Sequence, residues 1–407
     1  MLAFGLQIWV YTETGSVTRL TLVALANSLP AVLLAPVAGS VADRLDRRLV
    51  MLASDALGGL ATLGLLSAHL TGNLEIWHIY VAAFMGAAAN TFQEPAWQAS
   101  IPVLVPKAKL ARANGLVQLN QGISIVVAPA LAGALLVAFD LGGVLIVDAA
   151  SFLAGIGTLA AVRFPPFQSE EGETRSVRKD AIIAWRYLRI RPGLFGLLWV
   201  YSGVNFMLSM TGVLVIPLIV SFATEAAAGT ILSLAGIGAV VGSVAVGAAG
   251  APRPLVRTIM GGILVSGIVL AIGGSRASLL VIGAATVMLL LVNPVVNSAS
   301  QVIWQTKVEE GVQGRVFSLR RMIGQAVSPI AILLAGPLAD GVFEPLLAAD
   351  GALAGSVGSV IGVGEGRGIG LLYIVAGLAT IALAVVGWSI GHIRNIETEL
   401  PDVAGRD

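Results

Sequence analysis

The sequence predicts an all-α protein that crosses a membrane many times. Hydrophobic residues make up 57% of the chain and charged residues only 12%, whereas soluble domains carry about 25% charged residues. The apolar residues fall in long runs, each able to cross a hydrocarbon core of about 30 Å as a helix. The fold class is therefore a polytopic helical membrane protein.

Eleven apolar runs qualify as complete spans. A shorter run over residues 1–10 precedes them and covers only about half a bilayer, at about 1.5 Å per residue. We interpret it as the second half of span 1, and expect a misassigned start or a fragment. The eleven complete runs are residues 20–42, 49–70, 76–100, 113–139, 141–162, 193–222, 226–249, 258–274, 277–303, 316–343 and 369–393.

The spans divide into two halves of six. The N-terminal half is predicted over residues 1–162, and the C-terminal half with a short tail over residues 193–407. The cytoplasmic linker, residues 163–192, contains apolar residues interleaved with basic ones at 177–189, which predicts an amphipathic helix lying on the membrane. Three short matches at separations of 203, 200 and 199 residues indicate that the halves are related. They pair Gly39 with Gly242, Pro129 with Pro329, and Pro95 with Pro294.

The basic residues predict the orientation. On this span assignment 21 of the 24 lysines and arginines lie on one side, and Arg19, Arg276 and Arg367 lie opposite. The positive-inside rule makes the basic side cytoplasmic, so both termini are expected in the cytoplasm. These charges face anionic lipid and give no evidence of nucleic-acid binding. The expected partners are the bilayer and a small-molecule substrate, with no nucleic acid, and the chain is expected to be a monomer.

Several kinds of chemistry are excluded or disfavoured. The chain has no cysteine, which excludes disulfides, thiolate metal sites and cysteine nucleophiles. It contains no G-x-x-x-x-G-K-[ST] loop, so it cannot itself hydrolyse ATP as part of a pump, and no H-E-x-x-H or G-x-S-x-G pattern. We expect no enzyme activity, no cofactor and no metal.

The turn between spans 2 and 3 carries the most informative motif. It reads Gly39-Ser-Val-Ala-Asp-Arg-Leu-Asp-Arg-Arg48. Asp43 falls at the C-terminal end of span 2, where the helix dipole disfavours an anion and calls for a compensating partner. Arg47, one turn further on, is the nearest candidate.

This turn resembles the cytoplasmic loop signature of the major facilitator superfamily, with Asp46 where many members have glycine. Four further stretches resemble the branch that holds the bacterial enterobactin exporter and the macrolide-efflux proteins. The resemblance implies the major facilitator fold, the bacterial inner membrane, and secondary active transport driven by the proton gradient, most often the export of amphipathic small molecules. The four stretches are 92–99 (FQEPAWQA), 110–115 (LARANG), 147–152 (VDAASF) and 314–319 (GRVFSL).

The resemblance also implies a cytoplasmic gate, whose aspartate and arginine positions are taken by Asp43 and Arg47. Asp55 in span 3 and Glu94 in span 4 lie about two turns from the cytoplasmic surface, near enough to join the gate. Ionised carboxylates at that depth need partners, and nearby arginines are available. We expect a structural network rather than a proton carrier, formed by Gly39, Asp43, Arg44, Arg47, Arg48, Asp55 and Glu94.

Spans 5 and 6 bear on transport direction and coupling. Asp148 in span 6 has no base nearby in sequence, and desolvation favours the protonated form of such a carboxyl, so it is a candidate proton carrier. A hydrogen-bonded packing residue is the equal alternative. Exporters of the superfamily carry a glycine-rich pattern in span 5, although a generic small-residue packing face explains the residues here as well. Its positions are occupied by Gly115, Ser124, Ala128, Pro129, Ala132 and Gly133.

Polar residues in the middle of the spans are predicted to line a substrate cavity. Amides among Phe, Met and Leu side chains suit an amphipathic organic molecule better than a bare ion. Arg320 and Arg321 could attract an anionic substrate, but we expect them to extend to the interface instead. The cavity candidates are Asn27, Asn90, Gln93, Gln118, Gln121, Asn205, Asn293, Asn297, Arg321 and Gln325.

The leading hypothesis is a proton-coupled exporter of drug-like or siderophore-like molecules, with substrate passing between the two halves by alternating access. Uptake of a metabolite is the alternative within transport. A non-transporting sensor or a membrane-embedded transferase is the alternative from another class. Neither a large soluble signalling segment nor an acidic metal-binding cluster is present in the sequence to favour these last two.

Overall fold

Every element that the computed structural model describes is helical. The structure describes residues 1–34, 37–38, 41, 45–104, 110–162, 164 and 177–402, with the backbone alone at 98–99, 102–103, 110–123, 125, 177–180, 310–311 and 325. The chain divides into two compact units, Met1–Glu173 and Thr174–Asp407.

The first unit begins with two helices joined by a tight turn. Helix α1 (Leu2–Thr14) ends at Gly15, whose φ of 62° is a left-handed conformation that glycine adopts without strain. The Ser16 hydroxyl then accepts a hydrogen bond from the N–H of Arg19 and caps α2 (Val17–Leu33). Helices α3 (Arg47–Leu70) and α4 (Ile76–Leu104) follow.

A sharp corner divides the next helical run, Leu110–Ala161. Asp140 has φ 54° and ψ −164°, a conformation that L residues rarely adopt, and it separates α5 (110–139) from α6 (141–161). A Cβ at Gly143 would lie 2.5 Å from the Cβ of Phe139, so the corner closes tightly around this side chain. The Asp140 carboxylate lies 3.8 Å from Nε2 of His69, near the end of α3.

The second unit starts with α7 (Val177–Arg189), which leads through a turn into α8 (Pro192–Val220). Four long helices then precede an irregular segment, and the unit ends in one long and two short helices. These later elements are α9 (Glu225–Ala249), α10 (Leu255–Ser275), α11 (Leu279–Lys307), α12 (Glu310–Leu338), a π-helical turn (Ala339–Phe343), α13 (Glu344–Leu346), α14 (Gly358–Ile361), α15 (Arg367–Ser389), α16 (Gly391–Arg394) and α17 (Ile396–Glu399).

Glycines allow the helices of the second unit to approach closely. A Cβ at Gly267 of α10 would lie 2.7 Å from the carbonyl oxygen of Gly377 on α15. On α9, a Cβ at Gly238 would lie 2.6 Å from the Val287 carbonyl oxygen of α11, and one at Gly242 would clash with that of Leu291. Small residues that bring backbones together are the usual means of helix association in membranes, where apolar burial gives little driving force.

The C-terminal segment is attached to the second unit by two side chains. Buried Lys307, at the end of α11, donates hydrogen bonds to the carbonyl oxygens of Glu397 (2.8 Å) and Leu400 (2.6 Å) and forms an ion pair with Asp402 (2.7 Å). The Glu397 carboxylate accepts hydrogen bonds from the first backbone N–H groups of α10, at 3.1 and 3.0 Å, where the helix dipole favours an anion.

Eight helical segments among the described residues are long and apolar enough to cross a membrane, and Val17–Leu33 is a shorter apolar helix. The predicted all-α polytopic fold class is therefore confirmed. The eight segments are Arg47–Leu70, Val126–Ala161, Pro192–Val220, Glu225–Ala249, Leu255–Ser275, Leu279–Lys307, Val312–Leu346 and Arg367–Ser389.

Candidate functional site

The described gate candidates lie on α3 and α4. Arg47 and Arg48 begin α3, and Arg48 donates a hydrogen bond of 2.6 Å to the carbonyl oxygen of Ala160 at the end of α6. A cation at a helix C-terminus is favourable because the last carbonyl groups have no partner within the helix. Glu94 is exposed on α4. Gly39, Asp43 and Arg44 lie outside the described residues.

Asp55 of α3 is buried, and its described partner is an amide on α4. The Gln93 side chain donates a hydrogen bond of 2.6 Å to Oδ1 of Asp55, and Oδ2 lies against the α6 backbone, 3.6 Å from where a Cβ at Gly155 would be. The expectation that a neighbouring arginine pairs with Asp55 stays a prediction, because Arg48 reaches the Ala160 carbonyl and Arg44 lies outside the described residues. Gln93, expected in the substrate cavity, is bonded to Asp55.

Asp148, the candidate proton carrier, is half-buried on α6 and faces α3. The Thr62 hydroxyl donates a hydrogen bond of 2.8 Å to its Oδ2. This carboxyl thus has a neutral hydrogen-bond donor on α3. Thr62 was not singled out by the sequence, because a threonine in an apolar span most often bonds its own backbone.

The other first-unit candidates have varied surroundings. Asn27 donates a hydrogen bond of 3.0 Å to the Val23 carbonyl of its own helix, and Asn90 is exposed on α4. On α5, Ala132 and Gly133 are buried, Ala128 and Pro129 half-buried, and Ser124 exposed. For Gly115, Gln118 and Gln121, as for Gln325 in the second unit, the structure describes only the helical backbone.

A cavity of about 300 Å³ lies within the second unit, between α8, α11 and α12. We call it the arginine cavity. It contains three of the predicted cavity residues, Asn205, Asn297 and Arg321. The described residues that line it are Leu198, Tyr201, Ser202, Asn205, Asn297, Gln301, Phe317, Arg320, Arg321 and Gly324.

Arg320 points into the unit rather than toward the interface, so the expectation for this residue is wrong. Its guanidinium donates hydrogen bonds to Oε1 of Gln301 (3.0 Å) and to Oγ of Ser300 (3.2 Å). It also lies over the rings of Trp304 and Tyr201, at 5.0 and 5.9 Å from their centroids. Aromatic faces attract cations, and these contacts hold the side chain among three helices.

A second cavity, of about 210 Å³, lies between α8, α9, α10, α11 and α15. We call it the apolar pocket, because aliphatic side chains dominate its lining. Asn293 is one of its few polar groups. Asn293 Oδ1 accepts a hydrogen bond of 2.7 Å from Nδ2 of Asn297, one turn further along α11. This amide pair thus has one member in the apolar pocket and the other in the arginine cavity.

Sequence reasoning missed the residues that hold Arg320. Ser300, Gln301 and Trp304 belong to α11 and Tyr201 to α8, and no local pattern links them to Arg320. Among the described residues, no three of His, Asp and Glu lie close enough together to hold a metal ion.

Known proteins resemble this chain along almost all of its length. Macrolide efflux protein A of Streptococcus pyogenes is 24% identical over 98% of the chain and 93% of its own length. The multidrug efflux pump Tap of Mycolicibacterium fortuitum is 24% identical, covering 81% of this chain and 83% of the pump. A solved bacterial homologue of the human lysosomal transporter Spinster shares the fold with a TM-score of 0.70 at 14% identity, covering 99% and 96% of the two chains. The Major Facilitator Superfamily model matches residues 1–332, and the chain therefore belongs to this family of multi-pass membrane transporters, which are not enzymes.

Proposed function

We propose that this protein is a proton-coupled exporter of amphipathic small molecules that works by alternating access. The near-full-length similarity to macrolide efflux protein A carries the proposal, and the similarity to the pump Tap supports the same direction of transport. Direction is a property of the transport cycle rather than of the fold, so the likeness to solved structures does not bear on it.

The proton gradient is the energy source in this proposal, and Asp148 carries the proton. Its half-buried position inside an apolar helix favours a carboxyl that changes protonation during transport. Thr62 orients this carboxyl through its hydroxyl. The residues at the start of α3 and their partners form the gate, and the small residues of α5 form a packing face.

The protein acts as a monomer in the bacterial cytoplasmic membrane, with both termini in the cytoplasm. The supporting observation is the asymmetry of the basic residues, 21 of 24 on one side of the predicted topology. The bilayer and the transported molecule are its only partners in this proposal.

The test measures retention of dyes, antibiotics and a catecholate siderophore in cells that lack their own pumps, with and without a protonophore. We expect lower retention of some compounds with the wild-type protein and recovery with the protonophore. Asp148→Asn should abolish the protonophore-sensitive export. Asp350→Asn, the same change at an exposed aspartate, should export like the wild type.

Two results would contradict these proposals separately. Correctly inserted protein that alters the retention of no compound would refute broad export. Export by Asp148→Asn with undiminished sensitivity to the protonophore would leave export standing and remove Asp148 from the proton pathway.

A further inference from the structure

We infer that the second unit binds an amphipathic anion, whose charged group lies at Arg320 and Arg321 and whose apolar part enters the apolar pocket. This inference rests on the proposed export of amphipathic molecules and narrows the substrate to those with a carboxylate or phosphate group.

The first observation behind this inference is the charge of Arg320. Its hydrogen-bond partners, Ser300 and Gln301, are both neutral, and a guanidinium has five N–H donors. Within the residues that the structure describes, no carboxylate forms an ion pair with it. Glu309, close in sequence to the start of α12, pairs with Arg191 instead, at 2.7 Å.

The location of this charge carries the second step. Arg320 lies ten residues into α12, about 15 Å along its axis, and is the fifth residue of the predicted span 316–343. A cation within a membrane span is costly unless an anion or aromatic faces compensate for the lost hydration. The two rings over Arg320 supply part of this compensation. Arg321 adds a second positive charge at the wall of the same cavity, so the site attracts anions and repels amines.

The third observation is that the apolar pocket lies beside the arginine cavity. Asn297 in the arginine cavity and Asn293 in the apolar pocket are hydrogen-bonded to each other about one helical turn apart, about 6 Å along α11. In this inference the anionic group of the ligand lies beside the arginines, and its apolar part extends past this amide pair into the apolar pocket. The amides can bond polar atoms near the head group, while a bare inorganic anion would leave the apolar pocket unused.

The experiment measures binding of a dansylated long-chain fatty acid to the purified full chain in a neutral detergent. Competitors are the unlabelled acid, its methyl ester, an alkylamine of equal length, naphthoate and inorganic phosphate. Arg320→Gln and Arg321→Gln should each weaken binding about tenfold, as expected for the loss of a charged hydrogen-bond donor. Arg257→Gln, the same change at an exposed arginine of α10 outside both cavities, should bind within about twofold of the wild type.

Arg321→Gln distinguishes a loss of binding from a loss of folding. Arg321 is exposed, and its replacement removes none of the described hydrogen bonds of Arg320. The unlabelled acid should compete, and lengthening it should improve competition by about fourfold per methylene until the pocket is full. The ester, the amine and phosphate should compete poorly. Competition by the fatty acid alone identifies an acyl lipid as the ligand, and competition by naphthoate identifies a soluble aromatic acid.

Equal competition by the acid and its ester, or unchanged binding to folded Arg321→Gln, would overturn the inference. Neither result depends on transport, so export of uncharged or cationic compounds could persist while this assignment fails. Conversely, anion binding by a protein that exports nothing would uphold the site and refute the proposed function.

Discussion

The Gln93 amide of α4 and the Asp55 carboxylate of α3 are joined by a hydrogen bond of 2.6 Å. Asp55 is only 9% exposed, so this amide replaces part of the water that an ionised carboxylate would have outside the bilayer. A buried charged acceptor that loses its donor is costly. The pair therefore links α3 to α4 at the depth where the gate was predicted.

Gln93→Leu should lower the free energy of unfolding by about 1–3 kcal/mol, because the Asp55 carboxylate keeps its burial and loses its donor. Asn90→Leu, the same type of change at an exposed residue one turn earlier on α4, should change it by less than about 0.5 kcal/mol. Denaturant unfolding of the purified proteins in mixed micelles measures both. Equal stability of the two variants would show that the Gln93 bond contributes nothing.

Thr62→Val should reduce proton-driven export severalfold, whereas Thr62→Ser should retain it. Valine matches the shape of threonine but cannot donate the 2.8 Å hydrogen bond to Asp148, and serine keeps the hydroxyl. Dye efflux from cells under an imposed pH gradient gives the rates, and the pH profile of Thr62→Val should also be displaced from that of the wild type. An identical profile for wild type and Thr62→Val would argue that the hydroxyl only fills space.

Gly242→Ala should destabilise the second unit by about 1–3 kcal/mol, because the new methyl group would clash with the Leu291 backbone on α11. Gly247→Ala is the matched control on the same helix, since a Cβ there would meet no atom within 4 Å. It should be neutral or stabilising, because alanine favours the helical state. Thermal unfolding in detergent compares them, and a Gly242→Ala protein as stable as Gly247→Ala would disprove close packing at this contact.

Lys307→Met should release the C-terminal segment. The buried ammonium group donates hydrogen bonds to two backbone carbonyl oxygens and forms an ion pair with Asp402. Methionine can make none of these interactions. We expect trypsin to cleave after Arg394 about tenfold faster, which corresponds to about 1.4 kcal/mol of lost docking energy. Asp402→Asn removes only the exposed ion pair and should change the rate by less than about twofold. Equal rates for Lys307→Met and wild type would contradict this anchoring role.

The positions of the helices along the chain could be predicted because the length of an apolar run and the polarity of a turn are local properties of the sequence. The predicted spans 113–139 and 141–162 are separated by Asp140 alone, and the structure breaks the helix at this residue. The class of transporter was equally accessible, since the charged turn before span 3 is a local motif.

Side-chain partners could not be predicted in the same way. Asp55 was assigned to nearby arginines because sequence distance was the available guide, yet the relative placement of α3 and α4 sets its bond to Gln93. Arg320 was expected to extend to the membrane interface, because the sequence of α12 does not indicate which aromatic rings of α8 and α11 lie beside it.

The corner at Asp140 has a mechanical consequence. One residue spans at most about 3.6 Å of extended chain, so a connection this short has no slack. Any tilt of α5 at that end must carry the start of α6 with it, and Asp148 lies only two turns beyond. A movement of α5 would therefore change the surroundings of the Asp148 carboxyl, whereas a long loop between the two helices would absorb the movement.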